Sequence, residues 1–402
     1  MDLITFLDQK PLYYKEIDHE RVHIAYGVLK SYIKHPRTIH IVGTNGKGSI
    51  GRMIAHLAWC QGASIEPYEK NSFCFSVGHY TSPHILKFNE RIWINGTDIS
   101  DEVLEYAHQR LYGILGKEMS QALSYFEYTT LLALVVFEKC DLIILEAGLG
   151  GEFDATNICD KELSVITPIG IDHQAFLGNT IVEIATTKIR SIQKKVLLAP
   201  QPYSEVVEVA KKVANDTKST LVFAQLFEDN PIEDICKSYS CVLKKIAKQK
   251  GWPNFLIQNA MVAMQALDML EIPYDLRDLE SLRLFGRFYP VTENIRIDVG
   301  HNLLAAKVIV EAMEPKTVLI YNSLDDKDYE IILRILKPKL KRVEIIDINS
   351  QRATTKVSIE FALERIGIPY SDFNGILDKN EYYLVFGSFY TVEAFLKTIK
   401  IK

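Results

Sequence analysis

The residues Gly43-Thr44-Asn45-Gly46-Lys47-Gly48-Ser49 suit one chemistry, the holding of a nucleotide's phosphates. Glycines let backbone N–H groups converge on phosphate oxygens, a helix N-terminus adds positive potential, and a lysine meets the terminal phosphates. A serine in that place can ligate the Mg²⁺ that accompanies ATP. The spacing departs from the strict Walker pattern, because Gly48 separates Lys47 from Ser49. An ordinary tight strand–helix turn is the weaker reading.

Two further clusters follow apolar runs. Glu146 ends the run Leu142–Leu145 and opens Glu146-Ala-Gly-Leu-Gly-Gly151, where a carboxylate can face a Mg²⁺–nucleotide and glycines permit close backbone approach. A solvated carboxylate on a flexible loop is the bland alternative. Thr167-Pro-Ile-Gly-Ile-Asp-His173 also follows an apolar run, so Ser49, Glu146 and His173 are expected at strand ends on one sheet edge, as a metal or phosphate site. Lys188 lies in the apolar stripe of a helical pattern with Ile181, Ile184, Ala185 and Ile192. A buried, unpaired lysine tends to lose its proton, and a neutral amine can take up CO₂ as a carbamate, an anionic Mg²⁺ ligand. Periodicity alone favours a lysine that snorkels or pairs with Glu146.

The elements that must position these groups follow an α/β rhythm. Strands are expected at Thr38–Val42, Leu142–Leu145, Leu163–Thr167 and Val196–Leu198, and helices at Ser49–Cys60, Tyr128–Glu138, Thr180–Ile192 and Asn254–Leu270. Such alternation implies a mostly parallel sheet, with ligands at the carboxyl ends of its strands. Residues 215–255 are mixed in pattern. Gly and Pro interrupt the rhythm at Phe285-Gly-Arg-Phe-Tyr-Pro290. Strands Val318–Tyr321, Val343–Ile348 and Tyr382–Phe386 then alternate with helices after His301, Lys327 and Tyr390. This reads as a second domain of about 115 residues.

Bulk properties agree. With 402 residues, 48% of them hydrophobic, the chain can bury a large core in two or three domains. A net charge of −5 does not suggest a nucleic acid or anionic membrane as partner. Cys60, Cys74, Cys140, Cys159, Cys236 and Cys241 form no CxxC pair and read as reduced thiols of a cytoplasmic protein, without a zinc site. The start Met1-Asp-Leu-Ile-Thr lacks a signal-peptide pattern, no apolar run is long enough to span a bilayer, and no internal repeat is present.

Taken in order, the motifs resemble those of the folylpolyglutamate synthase/dihydrofolate synthase family of the Mur ligase superfamily. They are Gly43–Ser49, Tyr80-Thr-Ser-Pro-His84 with Asn89-Glu-Arg91, Phe126-Glu127-Tyr128-Thr129, Glu146–Gly151 with Asp154-Ala-Thr-Asn157, and Asp172-His173 with Leu177-Gly178. Then come Asn259, Gly286-Arg287-Phe288, Asp298-Val-Gly-His-Asn302, Asp326-Lys-Asp328 and Gly387-Ser-Phe389.

The resemblance implies an α/β protein: a P-loop-containing, mostly parallel sheet domain over residues 1–286 that binds ATP and folate, then a smaller Rossmann-like domain over 287–402, with chemistry in the cleft. It implies that Gly43, Thr44, Asn45, Gly46, Lys47, Gly48 and Ser49, with Asn259, Arg287 and Asp298, hold the nucleotide. Ser49, Glu146 and His173 would ligate Mg²⁺, and Lys188, as a carbamate, a second Mg²⁺, which reverses the bland reading of that lysine. Ser82, Phe126 and Asp154 match positions around the pterin, and His301, with Asp298, lies where glutamate is expected. Lys47, His173, Lys188 and His301 would carry the catalysis. Ile17 or Asp18 would contribute from the N-terminus. The implied reaction is ATP-dependent attachment of L-glutamate to dihydropteroate, to a reduced folate, or to both, through an acyl phosphate, by a cytoplasmic monomer.

Three departures stand out. Ser64–Cys74 lengthens one connection, Ile189-Arg190 replaces a small residue and glycine after Lys188, and Gly300 and Leu303 stand where alanine and proline are common. The competing readings are a Mur-type amide ligase acting on a cell-wall precursor, a nucleotide-binding regulator without ligase activity, and a plain nucleotide kinase. Thr81-Ser-Pro-His84 and Asp154-Ala-Thr-Asn157 argue against the first; intact Lys47, Glu146, His173 and Asp298 argue against the second. The second domain's own motif set argues against the third.

Overall fold

Arg37–Val42 is buried on both faces beyond its first residue, as a strand flanked on each side by partners and covered by helices must be. In the computed structural model, which describes residues 1–10, 18, 20–63, 75–226 and 235–400, this run is the strand β1, paired in parallel with strands on either side. The described chain forms two compact units. The first comprises Met1–Ile169, Thr180–Ser240 and Asn259–Glu280; the second comprises Gly170–Asn179, Cys241–Gln258 and Ser281–Lys402.

In chain order the elements of the first unit are α1 (Leu3–Asp8), α2 (Arg21–Leu29), β1 (Arg37–Val42), α3 (Lys47–Ala63), β2 (Val77–Tyr80), β3 (Ile92–Ile94), β4 (Thr97–Asp98), α4 (Asp101–Ala122), α5 (Tyr125–Val136), β5 (Leu142–Glu146) and β6 (Leu163–Ile166). After α6 (Gln174–Leu177), which belongs to the second unit, come α7 (Ile181–Ile189), β7 (Lys195–Leu198), α8 (Ser204–Thr217) and β8 (Thr220–Phe223). The sheet has eight strands in the order β4-β3-β2-β5-β1-β6-β7-β8. It is parallel from β2 to β8, with the β3–β4 hairpin added antiparallel at one edge. A core of Leu, Ile, Phe and Tyr side chains from α1, α2, α4, α5, β2 and β5 covers one face.

Helices α9 (Ile235–Lys250) and α10 (Asn254–Met269) lead on to β9 (Tyr289–Pro290), β10 (Ile295–Ile297), α11 (Leu303–Ala312), β11 (Thr317–Tyr321), α12 (Tyr329–Leu336), β12 (Leu340–Ile345), α13 (Lys356–Ile366), β13 (Tyr370–Asp372), β14 (Tyr383–Phe386) and α14 (Phe389–Thr398). The second sheet has six strands in the order β13-β12-β11-β14-β10-β9, all parallel except the short β9. Chain order reverses around β14, so the loops after β10, β11 and β14 flank the switch point where open α/β sheets bind ligands.

The expected strands and most helices appear within a few residues. The ends move where caps decide: Ser124 starts α5 and Thr180 starts α7, each with a capping box closed by Glu127 or Glu183. The 22-residue α4 was not among the expected helices. Its buried stripe of Leu104, Ala107, Leu111 and Leu115 is regular, but exposed Val103 and Tyr106 and the non-helical Gly116 blur it. Within the mixed stretch 215–255, the described residues hold the end of α8, β8, α9 and the start of α10.

Cys60, Cys140, Cys159 and Cys241 are free thiols. Ile17 and the Ser64–Cys74 connection lie outside the described residues. Among those described, no helix is long and apolar enough to cross a membrane.

Candidate active site

In the first unit, the turn between β1 and α3 leaves room only for glycine at its start. Gly43 has a φ of 146°, and a Cβ there would fall 2.0 Å from Thr167 Oγ1. The N–H groups of Thr44 and Asn45 donate to Pro168 O at 3.0 and 3.1 Å, which ties the turn to the end of β6. Lys47 folds back over the turn, its Nζ donating to the carbonyls of Gly43 (3.2 Å) and Thr44 (3.3 Å). Lys188 Nζ donates to the same Gly43 carbonyl at 3.1 Å. Two lysine side chains therefore meet on one carbonyl of the turn. Ser49 and Glu146 are both buried, and Asn259 lies beside Gly46, whose Cβ would meet Asn259 Oδ1 at 3.3 Å.

Lys188 is 4% exposed and sits in the last turn of α7. Its main chain is braced by the glycine loop after β5. A Cβ on Gly151 would lie 2.3 Å from Lys188 O, and Glu152 N–H donates to Thr187 O at 2.8 Å. Ser191 Oγ donates to Lys188 O at 2.8 Å. Thr81 Oγ1 donates to Glu146 Oε2, which orients the other carboxylate oxygen. Ser49 Oγ and the Glu146 carboxylate are hard oxygen donors in nearly closed surroundings, a pair that suits Mg²⁺.

The pterin-type motifs gather around the end of β2. Phe126 lies against the main chain of Gly148, where a Cβ would come within 2.6 Å of the ring, and Tyr80 packs on it with ring centroids 5.8 Å apart. Ser82 is half-buried. Asp154 is closed in: Oδ1 accepts from Thr156 N (2.9 Å) and Thr156 Oγ1 (2.5 Å), and Oδ2 from Leu149 N (2.8 Å). Its carboxylate therefore shapes the loop beneath Phe126. His84 accepts at Nδ1 from Arg91 Nε at 2.9 Å, and burial, helped by that guanidinium, pushes its pKa down to about 4. His84 is thus neutral near pH 7, with its proton on Nε2.

In the second unit, Asp298 follows β10 and is buried. Its two oxygens accept from Phe288 N and Gly300 N, each at 2.7 Å. Burial raises its pKa, opposed by Arg287, whose guanidinium stands 5.4 Å above the Phe389 ring. Gly300 is needed in this packing, since a Cβ would approach Phe386, Ala305 and Asp298 at 2.7–2.9 Å.

Asp172 gathers a second group of site residues. Lys327 Nζ donates to Oδ1 at 2.6 Å, Asn302 Nδ2 to Oδ2 at 3.0 Å, and His173 N–H to Oδ1 at 2.9 Å. His301 Nε2 is 3.7 Å from Oδ2. Burial would raise the pKa of Asp172, but His301, His173 and Lys327 overcome it and hold the carboxyl well below the usual range. One ligand atom from each of Asp172, His173 and His301 lies within 4.8 Å of the others. A metal shared by all three would face the Lys327 ammonium already on Asp172, so the cluster is a charge-paired hydrogen-bond network. His173 adopts a left-handed conformation, with a φ of 53°.

Of the residues expected together, the first unit holds Gly43–Ser49, Ser82, Phe126, Glu146, Asp154, Lys188 and Asn259. The second holds His173, Arg287, Asp298 and His301. Sequence reasoning passed over Asp172 and Lys327 as site residues. Each stands inside one of the motifs, but nothing local shows that one carboxylate meets one ammonium 155 positions away.

Phosphate turn, buried lysine and strand-end carboxylate define an ATP-dependent ligase of the α/β class. No protein-family model matches the chain. It is 30% identical over 384 residues to a dihydrofolate synthase/folylpolyglutamate synthase of Buchnera aphidicola subsp. Schizaphis graminum, covering 88% of this chain and 86% of that one. Among solved structures it is similar to the Helicobacter pylori folylpolyglutamate synthetase, with 36% identity, a TM-score of 0.76 and coverage of 100% and 98% of the two chains. It is also similar to E. coli FolC in complex with DHPP and ADP, with 25% identity, a TM-score of 0.80 and the same coverage. The chain belongs to the dihydrofolate synthase/folylpolyglutamate synthase family.

Proposed function

We propose that this chain joins L-glutamate to dihydropteroate and to the glutamate tail of a reduced folate, with ATP as the energy source. The observation that carries this is the convergence of Lys47 and Lys188 on the Gly43 carbonyl, in a chain whose FolC relative binds DHPP and ADP. An oxygen of the acceptor's carboxylate attacks the γ-phosphorus, the bond to ADP breaks, and an acyl phosphate forms. The neutral amine of glutamate then attacks the acyl carbon, an amide forms, and phosphate and a proton leave.

The turn Gly43–Ser49 would hold the triphosphate, with Lys47 offsetting charge on the transferring group and Arg287, Asn259 and Asp298 contacting the nucleotide. Positioning of two reactants contributes about 7–11 kcal/mol in favourable cases. Ser49, Glu146 and His173 would hold Mg²⁺, and a carbamate on Lys188 a second ion. When bound, these ions would neutralise phosphate charge. Ser82 and Phe126 would bind the pterin on a loop that Asp154 shapes, and His301 would meet glutamate. Residues 1–286 would act as the ATP and folate domain and 287–402 as the glutamate domain of a cytoplasmic monomer.

The test is ATP-dependent phosphate release with L-glutamate, comparing dihydropteroate with tetrahydrofolate, with the products weighed by mass spectrometry. Release with both acceptors is expected. Release with dihydropteroate alone limits the chain to dihydrofolate synthesis. Silence with both, despite ATP binding, would point to another Mur-type acceptor or to a regulator.

A further inference from the structure

His40 is fully buried in the middle of β1, where its neighbours Ile39, Ile41 and Val42 are apolar. An apolar side chain is the ordinary occupant of such a strand. Its ring is joined to the loop after β5 by an ordered chain of hydrogen bonds. Thr156 Oγ1 donates to Asp154 Oδ1 at 2.5 Å, which commits the one proton of that hydroxyl. In the 2.8 Å bond between His40 Nε2 and Thr156 Oγ1 the imidazole is therefore the donor. Burial, helped by Lys161, pushes the pKa of His40 well below 6.5, so the ring is neutral and its one proton sits on Nε2. Nδ1 is left as a buried acceptor with no hydrogen-bond partner among the described residues. An unpaired buried nitrogen is costly. The ring is thus a poor choice for stability, and its single donor bond is what sets it apart from an apolar side chain.

The chain continues past Asp154. Oδ2 accepts from Leu149 N–H at 2.8 Å, and Gly148, the preceding residue, is the one against which Phe126 lies. His40, Thr156, Asp154, Gly148 and Phe126 all belong to the first unit. We propose that His40 is a positioning residue for the acylating substrate: through Thr156 it fixes Asp154, and through Asp154 the stretch Gly148–Leu149 that seats Phe126. His40 is closed off from solvent, so it acts only through this relay. The relay also has a direction, with its donor on β1 and its acceptor carboxylate on the loop. A side chain that cannot donate at the place of Nε2 leaves Thr156 with one bond fewer and Asp154 freer to turn. The substrate affected is the ring compound bearing the carboxylate to be activated, not ATP or glutamate. This inference rests on the proposed function and deepens it by naming a residue that shapes its acceptor site.

The test measures KM for dihydropteroate, ATP and L-glutamate, and equilibrium binding of dihydropteroate, in wild type, His40→Gln, His40→Leu, Thr156→Ser and Thr156→Val. Gln can place an amide N–H where Nε2–H stands, and Ser keeps the hydroxyl; Leu and Val break the relay at successive links. The expected result is a rise of about tenfold in KM and Kd for dihydropteroate in His40→Leu and in Thr156→Val, with KM for ATP and glutamate within about twofold of wild type. Gln and Ser should recover most of the affinity. The double variant His40→Leu with Thr156→Val should bind no more weakly than the worse single one, because both cut one chain. Dihydropteroate binding at the wild-type level in His40→Leu would overturn the proposal. So would an equal rise in KM for ATP, equal behaviour of Gln and Leu, or losses that add in the double variant. A lowered melting temperature with unchanged dihydropteroate KM would also overturn it, since His40 would then serve the fold alone. If His40→Leu does not fold, the Thr156 pair decides by the same criteria. A wild-type enzyme silent with every folate acceptor would instead overturn the proposed function, and is read before any variant.

Discussion

Lys327 and Asp172 form a 2.6 Å ion pair in which both residues are less than 9% exposed. The pair lies in the second unit, where Asn302 also holds Asp172 and Asp326 also holds Lys327, at 3.0 and 3.1 Å. Removing one partner from such a pair leaves a buried charge uncompensated, which costs about 3–5 kcal/mol. Lys327→Met should therefore lower unfolding free energy by about 3 kcal/mol. Asp172→Asn combined with Lys327→Met should lose clearly less than the sum of the single variants. Urea unfolding of all four proteins measures the coupling; additive losses would show that the two charges do not compensate each other.

His84 gives stability a pH dependence of known sign. Its pKa in the folded protein is lowered from 6.5 to about 4. Between those values the unfolded chain binds more protons than the folded one, so stability rises with pH across the window and falls on acidification from 6.5 towards 4. Asp172, also depressed, adds a loss only below the ordinary carboxylate value of 3.8. Chemical denaturation at pH 7, 6, 5 and 4.5 should show a shallower decline in His84→Gln than in wild type. Parallel curves would mean that Arg91 and burial do not keep the imidazole neutral.

Gly151 links a sequence signal to the site's geometry. Alanine there would place its Cβ 2.3 Å from the carbonyl oxygen of Lys188, a backbone atom that cannot yield without moving the end of α7. Gly151→Ala should destabilise the protein by about 2 kcal/mol or more. It should also lower kcat, since the Lys188 side chain would leave Gly43 O. Gly27→Ala, with nothing within 4 Å of its Cβ, is the matched control and should keep its activity. Equal behaviour of the two variants would mean that the loop after β5 does not brace Lys188.

Much of this site was legible in the sequence because each strand end carries its own local signal. Gly43–Ser49 and Glu146–Gly151 follow apolar runs and sit where those runs end. Periodicity put Lys188 in the stripe of α7 but on its own favoured a snorkelling or Glu146-paired lysine, and the bond it makes to Gly43 O, 145 positions away, is beyond the reach of any such pattern. What pattern alone does not show is what each polar group is used for. Asp154 looks like a ligand-binding carboxylate, yet it is closed in by Thr156 and Leu149, because donors only two and five positions away reach it first. Lys327 and Asp172 are brought together by sheet topology across 155 positions, beyond the range of periodicity. The bond from Glu152 N–H to Thr187 O, 35 positions apart, likewise lies in no short window.

Lys188 separates the roles of the two lysines on Gly43. Both donate to its carbonyl, at 3.2 Å from Lys47 and 3.1 Å from Lys188, but only Lys188 is closed off from solvent. Lys47, at the start of α3, is free to swing from the turn to a phosphate, so Lys47→Ala should weaken ATP binding and reduce phosphate transfer about 100-fold or more. Lys188 is held at its base by Ser191 and against Gly151, and has no such swing. Lys188→Ala should therefore keep ATP affinity within about threefold of wild type while losing turnover to a similar extent. Lys188→Arg should not rescue it, because a guanidinium stays protonated and cannot become a carbamate. Nucleotide titration and steady-state phosphate release on the three variants make the comparison. Turnover near wild type in Lys188→Arg would show that the residue serves only as a cation on the Gly43 carbonyl, and the carbamate would have no part in the reaction.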